Sequence, residues 1–360
     1  MLLAGDVGGT KTLLGLFTPK PDRPSAIDVG EFTTLDHSGL EPMIESFLQS
    51  RGVEPRHIDA ASFGVAGAVT DQIARLTNVP WCVDGAAIAE RLRFRRTHVL
   101  NDLEALAYGV TVLESDELTM LQRGVPYPKG NAAVIAAGTG LGEALLLNVN
   151  GQFVPGASEG GHADFAARTP RETELLRELT RIYGRVSVEA ILSGPGLVNV
   201  YQFTHHSFGS DPGVVSVYHF SHQSAAGNRP QMQGSVFPSR LCEAVGEVSD
   251  PAELPARISR AAMERTCPHC VEALDMFVSV YGAEAGNIAL RAVATAGVYV
   301  GGGIAPKILP ALESGMFLDS FRAKEPMADF VATIPVAVIL NPDAGLLGAA
   351  VHAQKMSTGA

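Results

Sequence analysis

The chain has 360 residues, of which 46% are hydrophobic and 38 are glycine, and its formal net charge is −11 at pH 7. This length can bury two separate cores, and the glycine content is typical of α/β proteins with many tight connections. The acidic balance argues against a nucleic-acid or anionic-membrane partner, although a local cluster of N–H groups can still hold a small anion.

The N-terminus has no basic segment of the kind that opens a signal peptide, and Asp6 interrupts the first apolar run. The apolar run over residues 331–340 is too short to span a membrane and contains Pro335. We therefore expect a cytoplasmic protein that has no membrane partner.

The first predicted element is a hairpin over residues 1–17 with two adjacent glycines at its tip. Glycines let backbone N–H groups approach an anion closely. Asp6 ends the first strand, where a carboxylate could hold Mg²⁺ through water, and Thr10 and Lys11 add a hydroxyl and a cation. The tip therefore predicts a phosphate-binding loop, and a plain tight hairpin without a ligand is the alternative.

The tip is not a P-loop, although a lysine and a threonine are present. A P-loop has the pattern G-x-x-x-x-G-K-[ST] and leads into a helix. Here Thr10 precedes Lys11, and residues 13–17 have the pattern of a second strand.

The rest of the first part of the chain alternates short strands with helices. Strands are predicted over residues 60–65, 73–76 and 97–100, and helices over residues 85–92 and 103–109. Asp84 is placed to cap the first of these helices. Asn101 and Asp102 stand at the carboxyl end of the third strand.

A second set of elements begins near residue 132 and repeats the layout of the N-terminal hairpin. A strand of small residues over 132–137 leads into a glycine loop over 138–142, and another strand follows over 143–149. Such repetition predicts two related half-folds that face each other.

The remaining elements are mostly helical. Helices are predicted over residues 172–183, 187–192, 253–281, 283–296 and 344–354, and strands over 298–300 and 336–340. The first of these strands runs into a third glycine cluster, residues 301–303. Residues 202–254 are rich in Gly, Pro, Ser and His, which predicts an irregular excursion over the surface.

The three glycine clusters each follow a short apolar strand. None of them is specific by itself, because a glycine run can also be a plain tight turn. Together, at strand ends in two half-domains, they predict one nucleotide held across a cleft.

The four cysteines are Cys82, Cys242, Cys267 and Cys270. The last two have C-x-x-C spacing, but no second pair follows them to complete four ligands. We interpret the cysteines as reduced structural thiols rather than as a metal or redox site.

Four histidines lie within residues 202–254, and they are His205, His206, His219 and His222. A solvated loop is the simplest interpretation of this segment. An oligomer contact, a lid over the cleft and a metal site are the alternatives.

Seven segments in chain order carry a resemblance to known proteins. They are Gly-Asp-Val-Gly-Gly-Thr at 5–10, Leu-Asn-Asp-Leu at 100–103, Ala-Ala-Gly-Thr-Gly-Leu-Gly at 136–142, residues 156–165, residues 186–199, Gly-Gly-Gly-Ile at 301–304, and Asn-Pro-Asp-Ala-Gly-Leu-Leu-Gly-Ala at 341–349. From about residue 3 to residue 351 the chain resembles the hexokinase, actin and Hsp70 superfamily, and within it the bacterial glucokinase family.

The resemblance implies an α/β fold of two ribonuclease-H-like (actin-like ATPase) domains that flank a nucleotide and sugar cleft. The small domain would hold residues 1–105 plus 341–360, and the large domain residues 106–340 with the irregular insertion 202–254. The implied reaction transfers the γ-phosphoryl group of ATP to the 6-hydroxyl of glucose, with Mg²⁺ as a cofactor and domain closure to exclude water. A homodimer is also implied.

Two alternatives stay open for the function. Hydroxyl ligands alone do not fix the sugar epimer, so a kinase of another hexose or of an amino sugar has the same motifs. A non-catalytic sugar sensor that binds a partner protein could also keep the cleft.

The resemblance also implies roles for individual residues. Asp102 is the catalytic base, with a simple helix cap as the structural alternative. Carboxylates accept hydrogen bonds from sugar hydroxyls, and the implied sugar ligands are Asn101, Asp102, Glu159, His162 and Glu189, with Thr77 and Asn78 on the small-domain side.

The implied nucleotide ligands all lie in the glycine clusters. They are Gly5, Asp6, Val7, Gly8, Gly9, Thr10, Gly138, Thr139, Gly140, Gly301, Gly302 and Gly303. Asp6 is the carboxylate linked to Mg²⁺ through water. Asp343 either contacts the nucleotide side of the cleft or caps the C-terminal helix.

Some features depart from related patterns. Lys11 stands where many family members have Asn, and the 202–254 segment is longer than the family pattern. The related ROK sugar kinases and repressors carry a cysteine-rich zinc motif after their Gly-His segment, whereas residues 163–166 here are Ala-Asp-Phe-Ala. This difference favours the glucokinase family proper.

Overall fold

The computed structural model of the protein describes residues 1–76, 79–205 and 241–358. Its strands are β1 Leu2–Val7, β2 Lys11–Thr18, β3 Ser25–Thr33, β4 Ala60–Val65, β5 Val69–Thr70, β6 Ile73–Arg75, β7 Cys82–Asp84, β8 Thr97–Asn101, β9 Leu118–Gln122, β10 Ala132–Ala137, β11 Leu141–Val149, β12 Gln152–Ser158, β13 Gly297–Gly301 and β14 Val336–Ile339. Its helices are α1 Leu40–Ser50, α2 Gly85–Leu92, α3 Asp102–Val110, α4 Pro170–Tyr183, α5 Gly194–His205, α6 Leu254–Met263, α7 Pro268–Ala292, α8 Leu309–Leu312, α9 Met316–Arg322, α10 Ala328–Ala332 and α11 Ala344–Thr358.

Two large sheets share one internal order. The first is β3-β2-β1-β4-β8, and the second is β12-β11-β10-β13-β14 with β9 added at its edge. In both sheets the first two pairings are antiparallel and the next two are parallel. The repeated half-fold predicted from the two glycine hairpins is therefore confirmed, and it has the ribonuclease-H-like arrangement.

Helix α3 joins the two halves through its packing. Its Ala105 belongs to the core that α11 forms with β1 and β8, whereas Ala107 and Val110 belong to the core under β10 and β11. Glycines let α3 and α11 cross with their backbones in contact, because a Cβ on Gly109 or Gly348 would overlap the main chain of the other helix. The two helices thus form the middle layer of the molecule.

The central strands are fully buried, which explains their composition. All six residues of β4 and all six of β10 are buried, and small and β-branched side chains fit between the helices on either face. These strands, the hairpin strands and α2 match their predicted bounds within two residues. Asp84 caps α2 as expected, since its Oδ1 accepts from the N–H groups of Ala86 and Ala87 at 2.9 and 3.2 Å.

The predicted helix bounds over 253–281 and 283–296 are wrong. The chain instead breaks between α6 and α7, where Arg265 takes a left-handed φ of 56° and Pro268 begins a new helix. Proline is favoured in a first turn because its missing N–H has no partner there. Gly282 does not end a helix but lies within α7, where a Cβ would collide with the main chain of Phe317.

Two further predictions concern less regular segments. Residues 187–192 form a single 3₁₀ turn over Val188–Ala190 rather than a helix. The start of the 202–254 segment is also not irregular, because α5 continues to His205. His206, His219 and His222 lie outside the described residues. The sequence patterns did not reveal β3, β9, β12 or α1.

None of the helices within residues 1–76, 79–205 and 241–358 is both long enough and apolar enough to cross a membrane.

Candidate active site

The parallel pairing brings the ends of β1, β4 and β8 to one edge of the first sheet. Val7 of β1 is in register with Val65 of β4, which in turn is in register with Asn101 of β8. Asp6 and Asp102 therefore lie at the same edge, one residue before and one residue after this row. In the second sheet, Ala136 of β10 is in register with Gly301 of β13, so two of the glycine clusters also meet at a sheet edge.

The first glycine loop, between β1 and β2, is a tight turn that Thr34 holds by hydrogen bonds. The N–H of Gly8 donates to the carbonyl of Lys11 at 3.0 Å, which closes the turn. Thr34, the residue after β3, holds the loop, since its Oγ1 donates to the Gly8 carbonyl at 2.9 Å and its N–H to the Thr10 carbonyl at 2.9 Å. Sequence reasoning did not identify Thr34, which follows a strand that was not predicted.

The ammonium group of Lys11 forms an ion pair with Glu31 of β3, with Nζ 2.7 Å from Oε2. Both side chains are more than half exposed, so this pair adds little to the stability of the fold. The pairing directs Lys11 along the sheet surface, unlike the lysine of a P-loop.

The second and third glycine clusters touch each other. Gly302 has φ 83°, and a Cβ there would overlap the carbonyl of Ala137, immediately before the second loop. The hydroxyl of Tyr281 links the two strands, as it accepts from the N–H of Ala137 and donates to the carbonyl of Gly301, each at 3.2 Å. The two clusters therefore form one continuous backbone surface, and Tyr281 is a positioning residue that the sequence did not reveal.

Asn101 rather than Asp102 is the N-cap of α3. The Asn101 Oδ1 accepts from the N–H groups of Leu103 and Glu104 at 2.9 and 3.4 Å, and its Nδ2 donates to Gly67 at 3.1 Å. Asp102 is the first helical residue, and its Oδ1 accepts from the N–H of Leu103 at 2.9 Å. Capping α3 was the structural alternative for Asp102, and in the structure Asn101 is the residue that caps this helix.

Two buried carboxyl groups, Asp6 and Asp102, lie at this edge near further acids. Burial, together with the charge of Asp343 and against the opposing effect of Lys11, raises the pKa of Asp6 to about 6. Burial raises the pKa of Asp102 to about 7, with contributions from the charges of Asp6 and Glu159. Raised carboxyl pKa values of this kind are typical of groups that accept a proton near neutral pH.

The backbone of α11 approaches the Asp6 carboxylate closely. A Cβ on Gly345 would lie 3.0 Å from Asp6 Oδ2, so a larger residue there would crowd the carboxylate. Asp343 precedes this helix, and its N–H donates to Asn341 Oδ1 at 2.8 Å.

The buried Glu189 connects the second glycine loop to the predicted sugar loop. Its Oε2 accepts from the N–H of Leu141 at 2.8 Å, and a Cβ on Gly140 would lie 2.6 Å from the same oxygen. Its Oε1 is 3.6 Å from Nδ1 of His162, whose Nε2 is 3.9 Å from Oε2 of the exposed Glu159. The three predicted sugar ligands of the large domain are therefore adjacent.

A further buried acid, Glu143 of β11, lies against this loop at Gly160. Burial raises the pKa of Glu143 to about 7, and the neighbouring charge of Glu284 raises it while Arg291 lowers it. A Cβ on Gly160 would overlap the Glu143 carboxylate, and the N–H of Gly160 donates to Ser158 Oγ at 3.0 Å. Glu143 occupies an ordinary position in the alternating pattern of β11, so the sequence gave no sign that it lies against the predicted sugar loop. Thr77 and Asn78 lie outside the described residues.

The donor set fits Mg²⁺ and a triphosphate. Mg²⁺ prefers carboxylate and water oxygens, and a cation would offset the repulsion between the buried Asp6 and its acidic neighbours. Among the described residues, no atom lies within 4 Å of a Cβ placed on Gly138 or Gly303, so both positions leave open space beside exposed backbone. Such open glycine backbone suits phosphate groups.

The fold and the cleft define a sugar phosphotransferase of the actin-like ATPase class. The glucokinase family model matches residues 3–356. A glucokinase of Synechocystis sp. is 38% identical over 98% of this chain and 97% of its own length, and one of Nostoc sp. is 37% identical over 99% of each. The chain belongs to the glucokinase family.

Solved structures agree on the fold. A glucokinase from an Antarctic psychrotroph aligns with a TM-score of 0.77 and 25% identity over 98% of both chains. A glucokinase from Balamuthia mandrillaris in complex with glucose aligns with a TM-score of 0.73 and 22% identity, over 98% of this chain and 93% of that one. A ROK family glucokinase from Streptomyces griseus in complex with glucose and AMPPNP gives a TM-score of 0.60 at 19% identity, over 98% and 99% of the two chains.

Proposed function

We propose that this glucokinase-family chain transfers the γ-phosphoryl group of ATP to the 6-hydroxyl of glucose, with Asp102 as the general base. The observation that carries the proposal is the Asp102 carboxyl group, which is buried beside Asp6 at the edge where the glycine loops end and has a pKa raised to about 7. The family match and the glucose and AMPPNP complexes of structural neighbours support the substrate pair.

The role of the base follows from the charge of the site. A sugar hydroxyl becomes a better nucleophile as its proton moves to a carboxylate held in hydrogen-bond reach. The helix cap by Asn101 and the N–H of Leu103, which donates to Oδ1, fix the Asp102 carboxylate, and Oδ2 is the oxygen that we assign to the acceptor hydroxyl. Asp102 Oδ2 is the atom that would receive the proton.

The large-domain ligands would hold the sugar against this base. Glu189 and Glu159 present carboxylate oxygens, and His162 between them can donate or accept. Asn101 would add an amide beside the base. Charge-assisted hydrogen bonds of this kind orient a ring of hydroxyls so that one of them faces Asp102.

The nucleotide would lie between the two halves of the molecule. Residues 5–10 would contact its phosphates from the first sheet, residues 138–140 from the second, and residues 301–303 would contact its adenosine end. Asp6 would hold Mg²⁺ through water, and this cation would supply charge neutralisation at the phosphate oxygens. Domain closure would exclude the water that competes with the sugar as acceptor.

A hexose panel with ATP tests the proposal. Release of ADP is measured with glucose, mannose, fructose, N-acetylglucosamine and N-acetylmannosamine, and glucose 6-phosphate is detected separately. We expect glucose to give the highest kcat/KM by at least about tenfold, since one misplaced hydroxyl leaves a buried polar group unpaired. ADP release with another hexose alone would identify that alternative kinase, and sugar binding without ADP release would favour the sensor.

The pH dependence follows from the ionisation of Asp102. Only the carboxylate can accept a proton, and its pKa is raised to about 7. The kcat/KM for glucose should therefore fall about tenfold for each pH unit below pH 7 and level off above it. Initial rates at subsaturating glucose between pH 5.5 and 9 measure this profile, with circular dichroism at each pH as the control for folding. A flat profile from pH 5.5 to 7 would exclude Asp102 as the base.

The homodimer, the cytoplasmic location and the domain bounds 1–105 plus 341–360 and 106–340 stay predictions. The packing of α11 on β1 and α3 supports the assignment of the C-terminal helix to the small domain.

A further inference from the structure

Four potential metal ligands meet at the N-terminal end of α7, outside the candidate active site. They are His205 at the end of α5, Cys242, Cys267 immediately before α7, and Cys270 in its first turn. One ligand atom from each residue lies within 4.8 Å of all the others. Two of these residues come from the C-x-x-C pair, and the fold supplies the other two from a distant part of the sequence.

The separations between the ligand atoms fit one shared tetrahedral ion. With metal–sulfur bonds of about 2.3 Å, two sulfurs in a tetrahedral zinc site lie about 3.8 Å apart. The Cys242 and Cys270 sulfurs are 3.9 Å apart. The Nε2 of His205 is 3.3 Å from the Cys267 sulfur and 4.0 Å from the Cys270 sulfur. All four cysteines of the chain are free thiols.

The imidazole of His205 is oriented for ligation. Its Nδ1 lies 3.0 Å from the carbonyl of Tyr201, so the proton belongs on Nδ1 and the lone pair of Nε2 faces the sulfurs. Metal-bound histidines commonly donate their second nitrogen to a carbonyl in this way. The same Tyr201 accepts a hydrogen bond from the N–H of Cys242 at 3.0 Å through its hydroxyl. One tyrosine therefore supports two of the four ligands.

Four ligands from the protein leave no open position on a tetrahedral ion. Cys267 and Cys270 are 7% and 0% exposed, and both lie at the positive end of the long helix α7. Cys267 and Cys270 are buried, and His205 and Cys242 are partly buried. Three sulfurs and one imidazole nitrogen are the donor set of structural zinc sites, which are closed and tetrahedral.

We propose that His205, Cys242, Cys267 and Cys270 bind one Zn²⁺ in a structural site. The ion would tie the end of α5 and the start of α7 to Cys242, and the free energy of metal binding would add to the stability of this part of the fold. Cys270 is roughly 16 Å along α7 from Tyr281, which links the second and third glycine clusters. The proposed zinc site therefore does not depend on the proposed function.

Metal analysis of the full, untagged chain tests this proposal. Elemental mass spectrometry of protein purified without chelator is expected to find one Zn²⁺ per chain. Cys267→Ser and Cys270→Ser should reduce the zinc content to background, whereas the matched control Cys82→Ser should keep it, because Cys82 is exposed and distant in β7. Full zinc content in both serine variants would overturn the proposal.

A second measurement does not depend on the folding of the variants. In the unsubstituted protein, three thiols should resist a thiol reagent until a zinc chelator is added, and Co²⁺ exchanged into the protein should give the visible absorption of a tetrahedral thiolate complex. Equal thiol reactivity with and without chelator, together with no zinc uptake by the reduced protein, would show that the four residues do not form a metal site.

Discussion

Asp102→Asn is expected to lower kcat for glucose phosphorylation by about 10³-fold. The amide has the shape of the carboxyl group and can still hydrogen-bond a sugar hydroxyl, but it cannot accept a proton. General bases typically contribute 10²–10⁴-fold to a rate. The KM for glucose should change little, because the amide keeps one polar contact with the acceptor hydroxyl. Steady-state rates with ATP and glucose, with ADP release as the readout, measure both constants.

The same variant should be more stable than the unsubstituted protein at pH 8. The pKa of Asp102 is raised from 3.8 to about 7 in the folded state, so the folded chain binds more protons than the unfolded chain between these values. Stability therefore falls as the pH rises from about 4 to 7. Removing the ionised group should raise the free energy of unfolding at pH 8 by on the order of 1–4 kcal/mol, and this difference should vanish near pH 4.

Asp22→Asn is the matched control, because Asp22 is an exposed carboxyl group in the same half of the chain. It should leave both kcat and the unfolding midpoint unchanged. Near-normal turnover by Asp102→Asn would exclude Asp102 as the base. A variant that is inactive and also less stable would indicate that Asp102 supports the fold instead.

Gly348→Ala is expected to destabilise the fold by about 3 kcal/mol. A Cβ at this position would overlap the carbonyl of Ala105 and lie 2.6 Å from the N–H nitrogen of Gly109, both in α3. Neither backbone can move away, because α3 packs against both sheets. Overpacking in a dense core costs about 1–3 kcal/mol, and a collision with main-chain atoms falls at the upper end.

Urea unfolding followed by circular dichroism measures this effect as a lower midpoint with an unchanged slope. Gly156→Ala is the matched control in β12, since among the described residues no atom lies within 4 Å of its added Cβ and its φ is not left-handed. It should be nearly neutral. Equal midpoints for the two variants would show that α3 and α11 can separate without cost.

The local parts of the fold were accessible from the sequence. The glycine tips are predictable because two short apolar strands around a glycine pair leave few other conformations, and the observed hairpins follow them closely. The repeat of this unit then predicted the paired sheets. The resemblance of the motifs indicated the glucokinase family, which the comparisons confirm.

Long-range packing was not accessible in the same way. Gly282 has the sequence appearance of a helix end, but its missing side chain accommodates Phe317 from another helix. The C-x-x-C pair has no partner nearby in sequence, and only the packing of α5 against α7 brings His205 to it. Likewise Glu189 lies in a short turn, and its contact with Leu141 depends on how that turn meets the second sheet.

The position of Asp102 at the first turn of α3 links folding to chemistry. One face of α3 packs in the core beside the first sheet, and another face packs in the core beside the second sheet. The orientation of the helix is therefore set only when both sheets have assembled around it. The free energy needed to aim the carboxylate is therefore supplied once, during folding, rather than in every catalytic cycle. A fragment containing either sheet alone would lack an oriented Asp102 carboxylate even if it kept its glycine loop. Loss of activity on heating should therefore coincide with loss of cooperative structure.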